Sequence, residues 1–90
     1  MDDAPVGVFV VTLDAEEAGK GLTILAFVRA TDEAEAEEIA VRETLRDGFS
    51  QPKAVRTAEV VDARAMPEDF KEALAGALRY GSWLIAYDAP

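Results

Sequence analysis

Two stretches of this chain are apolar almost without interruption: Val6-Gly7-Val8-Phe9-Val10-Val11 and Leu22-Thr23-Ile24-Leu25-Ala26-Phe27-Val28. A β-strand sends alternate side chains to opposite faces, so such runs need cover on both sides. Only two segments further along have the pattern of helices. Either they divide between the two faces, or another chain covers part of the sheet. The question of a partner therefore arises before any chemistry does.

The first strand is expected over Val6 to Leu13 and the second over Leu22 to Ala30. The polar, glycine-ended stretch Asp14-Ala15-Glu16-Glu17-Ala18-Gly19-Lys20-Gly21 between them is too short for a stable helix and suits a hairpin. Thr31-Asp32-Glu33-Ala34-Glu35 opens a helix. Asp32 is the expected cap and Glu35, three residues on, completes a capping box, with Thr31 as the alternative cap. Acids lead this helix and Arg42 and Arg46 close it, which suits the helix dipole, and Glu38 is placed to pair with Arg42. Gly48 is its stop.

Two apolar stripes run along that helix, one through Ala34, Val41 and Leu45, the other through Ala36, Ile39 and Ala40. A surface helix normally needs one. Two suggest contact with the sheet and with something else, although singly exposed alanines are ordinary.

A third strand is expected over Ala54 to Ala63, with enough polar residues for an edge. Pro67 opens the second helix. Phe70, Leu74, Ala77, Leu78 and Gly81 share one side of it, and Gly81 leads into the last strand, Ser82 to Tyr87. The expected fold is α+β, a single domain over residues 1–90 in the order β-β-α-β-α-β. Right-handed crossovers would make its four-stranded sheet mixed. The expected architecture is a small two-layer sandwich with the helices mainly on one face. The alternative is a three-layer arrangement with helices on opposite faces.

Composition narrows the function. Cysteine and histidine are both absent. That removes disulfides, thiolate nucleophiles, the commonest metal ligands and the commonest general base. The net charge is −9, and the nine basic residues form no run. Nucleic-acid phosphates and anionic membranes both call for a basic patch. No apolar run nears the roughly 20 residues of a membrane span. The start, Met1-Asp2-Asp3, is acidic where a signal peptide is basic. The expectation is a cytoplasmic protein with no cofactor, no metal, no nucleic acid and no membrane partner.

No segment carries a catalytic or cofactor motif. Gly19-Lys20-Gly21 lacks the spacing and the hydroxyl residue of a phosphate-binding loop and reads as a turn. The acids Glu33, Glu35, Glu37 and Glu38 point around a helix rather than toward one centre, so a solvated helix start explains them better than a cation site. Asp62 and Asp88 each close a strand. If those strands are neighbours, the two carboxylates and Arg64 form a candidate ligand site, since paired carboxylates with split pKa values do acid–base work. Trp83, Ile85 and Tyr87 share one face of the last strand. With Phe9 and Ile39 they are the candidate interface, because Trp and Tyr are enriched at binding hot spots.

Three functions follow. The first is a non-enzymatic interaction or regulatory module that forms a homodimer through an apolar sheet face. The second is an acidic immunity- or antitoxin-like inhibitor of a basic protein, its association steered by charge. The third is a small-molecule-binding or catalytic domain built on the strand-end carboxylates.

Overall fold

The computed structural model describes residues 6–88. The acidic start Met1-Asp2-Asp3 and the tail residues Ala89 and Pro90 lie outside them. The elements are β1 (Gly7–Glu17), β2 (Lys20–Ala30), α1 (Glu33–Arg46), β3 (Ser50–Glu59), a 3-10 turn (Ala63–Ala65), α2 (Glu68–Tyr80) and β4 (Ser82–Asp88). The fold is α+β in the expected order β-β-α-β-α-β.

The sheet is not mixed. Its strand order is β3-β1-β2-β4, and every neighbouring pair is antiparallel. The connection through α1 carries the chain past β1, so β2 and β3 run the same way but have β1 between them. The connection through α2 then sets β4 on the far edge, against β2. No two strands of like direction stand side by side.

The β1–β2 hairpin is longer than the apolar runs alone imply. Its turn is only Ala18-Gly19, and both residues have positive φ, 53° and 82°. Positive φ at both central positions marks the two-residue turn whose twist matches that of paired strands. The ladder therefore continues through Ala15 opposite Leu22 to Glu17 opposite Lys20. β3 also begins earlier than expected, at Ser50, and is bulged against β1 twice, between Thr12 and Leu13 and between Asp14 and Glu16. Bulges let a strand that carries Pro52 keep its place in the ladder.

The caps follow from local chemistry. The Glu35 amide donates to Asp32 Oδ1 at 2.8 Å. The Glu35 carboxylate reaches back to accept from the amide (2.8 Å) and hydroxyl (3.1 Å) of Thr31. Asp32 is the cap and the alternative, Thr31, is not; the reciprocal bond goes to Thr31, one residue earlier than in the usual capping box. Pro67 stands just ahead of α2, where its carbonyl accepts from the amides of Phe70 and Lys71. Gly81 ends α2 with φ 95°, its amide donating to Ala77 O at 2.8 Å.

The apolar side chains form two clusters. Phe9, Val11, Leu13 and Ala15 of β1 join Leu22, Ile24, Ala26, Val28 and Ala30 of β2 with Ala36 and Ala40 of α1. Val8 and Phe27 join Ala73 and Ala77 of α2, with Phe70, Leu74, Trp83 and Ile85 packed around them. Removing a side chain such as Leu13 or Ile24 from water contributes about 1.5–3 kcal/mol. Phe27 and Phe70 meet edge to face, their ring centres 5.5 Å apart.

The two-stripe reading of α1 is corrected. Its buried residues are Ala36, Ala40 and Thr44, flanked by the half-buried Ile39 and Val41, while Ala34 and Leu45 are exposed. This is one stripe. It was hidden because its third member is polar, and Thr44 is tolerated there because its hydroxyl donates to Ala40 O at 2.7 Å.

Small residues set how closely the helices approach. Gly76 of α2 lies against the Trp83 ring, and a Cβ at position 76 would overlap that ring. Gly76→Ala is expected to cost about 1–3 kcal/mol, the range for overpacking a filled core. Urea unfolding measures this, and adding Trp83→Leu should recover part of the loss. In the same assay Asp32→Ala should cost about 1 kcal/mol through loss of the α1 cap.

Candidate functional site

The candidate interface residues do not lie together. Phe9 is only 5% exposed and sits in the cluster that holds α1. It is core. Ile39 packs at the margin of that cluster. Trp83 and Ile85 belong to the other cluster, where they are half-buried, and Tyr87, on the same strand, is 43% exposed. Trp83, Ile85 and Tyr87 do share a face, being paired with Phe27, Leu25 and Thr23 of β2.

Asp62 and Asp88 do not approach one another. They follow β3 and end β4, which occupy opposite edges of the sheet. Those strands also run in opposite directions, so their C-terminal ends lie at opposite ends of the sheet. Asp88 pairs with Leu22, whereas β3 ends beside Phe9. Asp62 serves its own turn, its Oδ1 accepting from the Arg64 amide at 3.0 Å, with Arg64 Nε 3.6 Å away. Paired-carboxylate chemistry has no geometric basis here. Among the described residues, no three Asp or Glu side chains are grouped to hold a metal ion. Of the helix acids, Glu35 accepts from the amide and hydroxyl of Thr31 and Glu37 accepts from the Thr57 hydroxyl at 2.8 Å.

The two edges of the sheet differ. β3 carries Pro52, Lys53 and two bulges, all features that discourage pairing with a further strand. β4 has no proline or bulge, and its single charge, Asp88, is at its end. The Arg29 amide donates to Gly81 O at 3.0 Å, which sets the hydrogen-bonding phase of the β2–β4 ladder. Antiparallel bonding alternates. Trp83, Ile85 and Tyr87 therefore direct their amides and carbonyls toward β2. Ser82, Leu84, Ala86 and Asp88 direct theirs outward.

A cleft of about 260 Å³ lies where the end of β2, α1 and the α2–β4 junction meet, lined by Arg29, Arg42, Arg46, Glu43, Tyr80 and Ser82 among others. Arg29 is held in place by a bond from Nη1 to Leu78 O at 2.9 Å. Glu43, its side chain 21% exposed, lies 3.7 Å from Arg42 and 3.9 Å from Arg46. It also accepts from the Ser82 hydroxyl at 3.4 Å. Arg42 lies beside Glu43 instead of the expected Glu38, and Glu43 also reaches Ser82 of β4. The sequence treats the arginines as scattered. The one signal that could have found the cleft is the helical spacing of Ile39, Arg42, Glu43 and Arg46, which puts all four on one side of α1.

No helix among the described residues is long and apolar enough to cross a membrane. Comparison with protein-family models, with curated proteins and with solved structures finds no match.

The separation of the two acids is testable. About 20 Å separates the ends of a seven-residue strand at 3.3 Å per residue. Asp62→Asn and Asp88→Asn should therefore have additive effects on stability, within about 0.5 kcal/mol. A larger coupling in a double-mutant cycle would contradict the placement.

Proposed function

We propose that this chain is a non-enzymatic interaction module that pairs with a second copy of itself along the outer edge of β4. The observation that carries this reading is the undefended edge: the outward amides and carbonyls of Ser82, Leu84, Ala86 and Asp88, on a strand without proline or bulge. Such an edge is a template for another strand, and a sheet that grows across a two-fold axis buries it.

The edge is favoured over the open apolar face expected from sequence because of how the clusters are divided. Val8 and Phe9 are neighbours on β1, as are Phe27 and Val28 on β2, and each pair splits between the α1 and α2 clusters. Strand neighbours project to opposite sides. This supports helices on opposite faces, the three-layer alternative, over helices on one face. With a helix on each side, the edges are the natural place for a partner.

One register uses the whole of β4. Ser82 stands opposite Asp88 of the second copy, Leu84 opposite Ala86, and Ile85 opposite its own counterpart. The outward-directed residues then form the hydrogen-bonded pairs, and Trp83 faces Tyr87 of the second copy across a closely spaced pair. Aromatic cross-strand pairs of this kind contribute about 0.2–1 kcal/mol. Two of the sequence-level interface residues gain a role from their position on the edge strand.

Ala86→Pro tests the proposal. It removes an amide that points outward, so the β2–β4 ladder is kept, and proline is tolerated on an edge in that orientation. Sedimentation equilibrium at about 100 µM, a concentration that populates complexes of micromolar affinity, should give a dimer for the native sequence. The variant should be a monomer with an unchanged circular-dichroism spectrum. A native monomer at that concentration, or a variant that still dimerises, overturns the reading. A stoichiometric basic protein copurifying with a native monomer would favour the acidic-inhibitor alternative.

A further inference from the structure

We propose that the arginine cleft is a binding site for a small oxyanion, a phosphate or carboxylate group carried by a small molecule. Three of the chain's six arginines line it although the net charge is −9. They come from different parts of the chain, Arg29 from β2 and Arg42 and Arg46 from successive turns of α1. The dipole of α1 accounts for a basic residue in its last turn, which is Arg46. It does not account for Arg42, a turn earlier; Arg29 serves the end of α2 through its bond to Leu78 O.

Arg29 is anchored, and most donors of all three arginines are unspent among the described residues. A guanidinium has five N–H donors in a planar fork that suits phosphate and carboxylate oxygens. Arg29 uses Nη1 on Leu78 O, which anchors one side of its group. Arg42 and Arg46 share the single carboxylate of Glu43 at long range, and their side chains are 64% and 78% exposed. Of the charged side chains that line the cleft, three are positive and one is negative. Glu43, tethered by Ser82, works as a positioning residue that holds the two helix arginines on one side. Tyr80, whose ring stacks on Trp83 with centres 6.4 Å apart, also lines the cleft.

Size limits the ligand. A volume of about 260 Å³ falls below the roughly 300–1,000 Å³ of pockets for drug-sized molecules. A phosphate ester or a compact di- or tricarboxylate fits that space.

The site does not depend on the dimer. In the paired register, however, Asp88 of a second copy would stand beside Ser82 and compete for the arginines. The titration is therefore made on Ala86→Pro as well as on the native chain. Amide and guanidinium NMR shifts are followed with inorganic phosphate, citrate, and sodium chloride at matched ionic strength. The expected result is saturable shifts at Arg29, Arg42, Arg46, Gly81 and Ser82 in Ala86→Pro, with half-saturation near 1 mM, about the affinity of a small exposed anion site. Saturation by phosphate alone assigns a phosphate ligand, and saturation by citrate alone a carboxylate. In the Arg42→Gln/Arg46→Gln variant binding should weaken by about tenfold or more, as expected for lost charge-assisted bonds, while the remaining spectrum stays dispersed. Shifts that chloride reproduces, or that the double variant leaves unchanged, overturn the proposal.

Discussion

The β1–β2 hairpin is apolar on both sides, and the rest of the structure answers to that. Val11, Leu13, Ile24, Phe27 and Val28 are all fully buried although they lie on two adjacent strands and point in both directions. Val11, Leu13, Ile24 and Val28 join the cluster that includes α1, and Phe27 the one that includes α2. β3 and β4 flank the hairpin, so the two most apolar strands become the central ones, with ladder partners on both edges. A chain of this length has little core to spare, and it centres the core on the element with the most to bury.

The helices meet the sheet through small residues: Ala36 and Ala40 of α1, and Ala73, Gly76 and Ala77 of α2. Small side chains let the helix backbones approach the sheet, and the volume is filled by the larger strand residues. The cost is a narrow helical stripe with little hydrophobic area of its own. Thr44 completes the α1 stripe because its hydroxyl is satisfied by Ala40 within the helix, so burying it leaves no unpaired group.

Once the hairpin is central, the remaining asymmetry lies in its flanks. β3 is interrupted by Pro52 and by two bulges, with Val55 bulged out and half exposed. β4 is regular and short. Near its start, the junction between α2 and β4 also brings Arg29, Arg42 and Arg46 around one cleft. The features that suggest function thus gather around one edge of the sheet, away from the bulged one.

The local rules were legible in the sequence. The two-sided apolar runs, the Asp32–Glu35 cap, the glycine stops and the element order depend on interactions within a few residues, which the chain carries wherever it folds. The α1 stripe was misread only because a threonine can hide in a core when its hydroxyl bonds backward. Strand order was not legible. Crossover connections are compatible with several orders, and the antiparallel result depends on β1 lying between β2 and β3. For the same reason sequence could not show that Asp62 and Asp88 end up at opposite ends of the sheet, or that Phe9 is core while Tyr87 is exposed. It could not gather Arg29 with Arg42 and Arg46 either, since β2 and the far end of α1 meet only through packing. Periodicity and capping are properties of the local chain, whereas strand neighbours and convergent side chains exist only once the sheet has assembled.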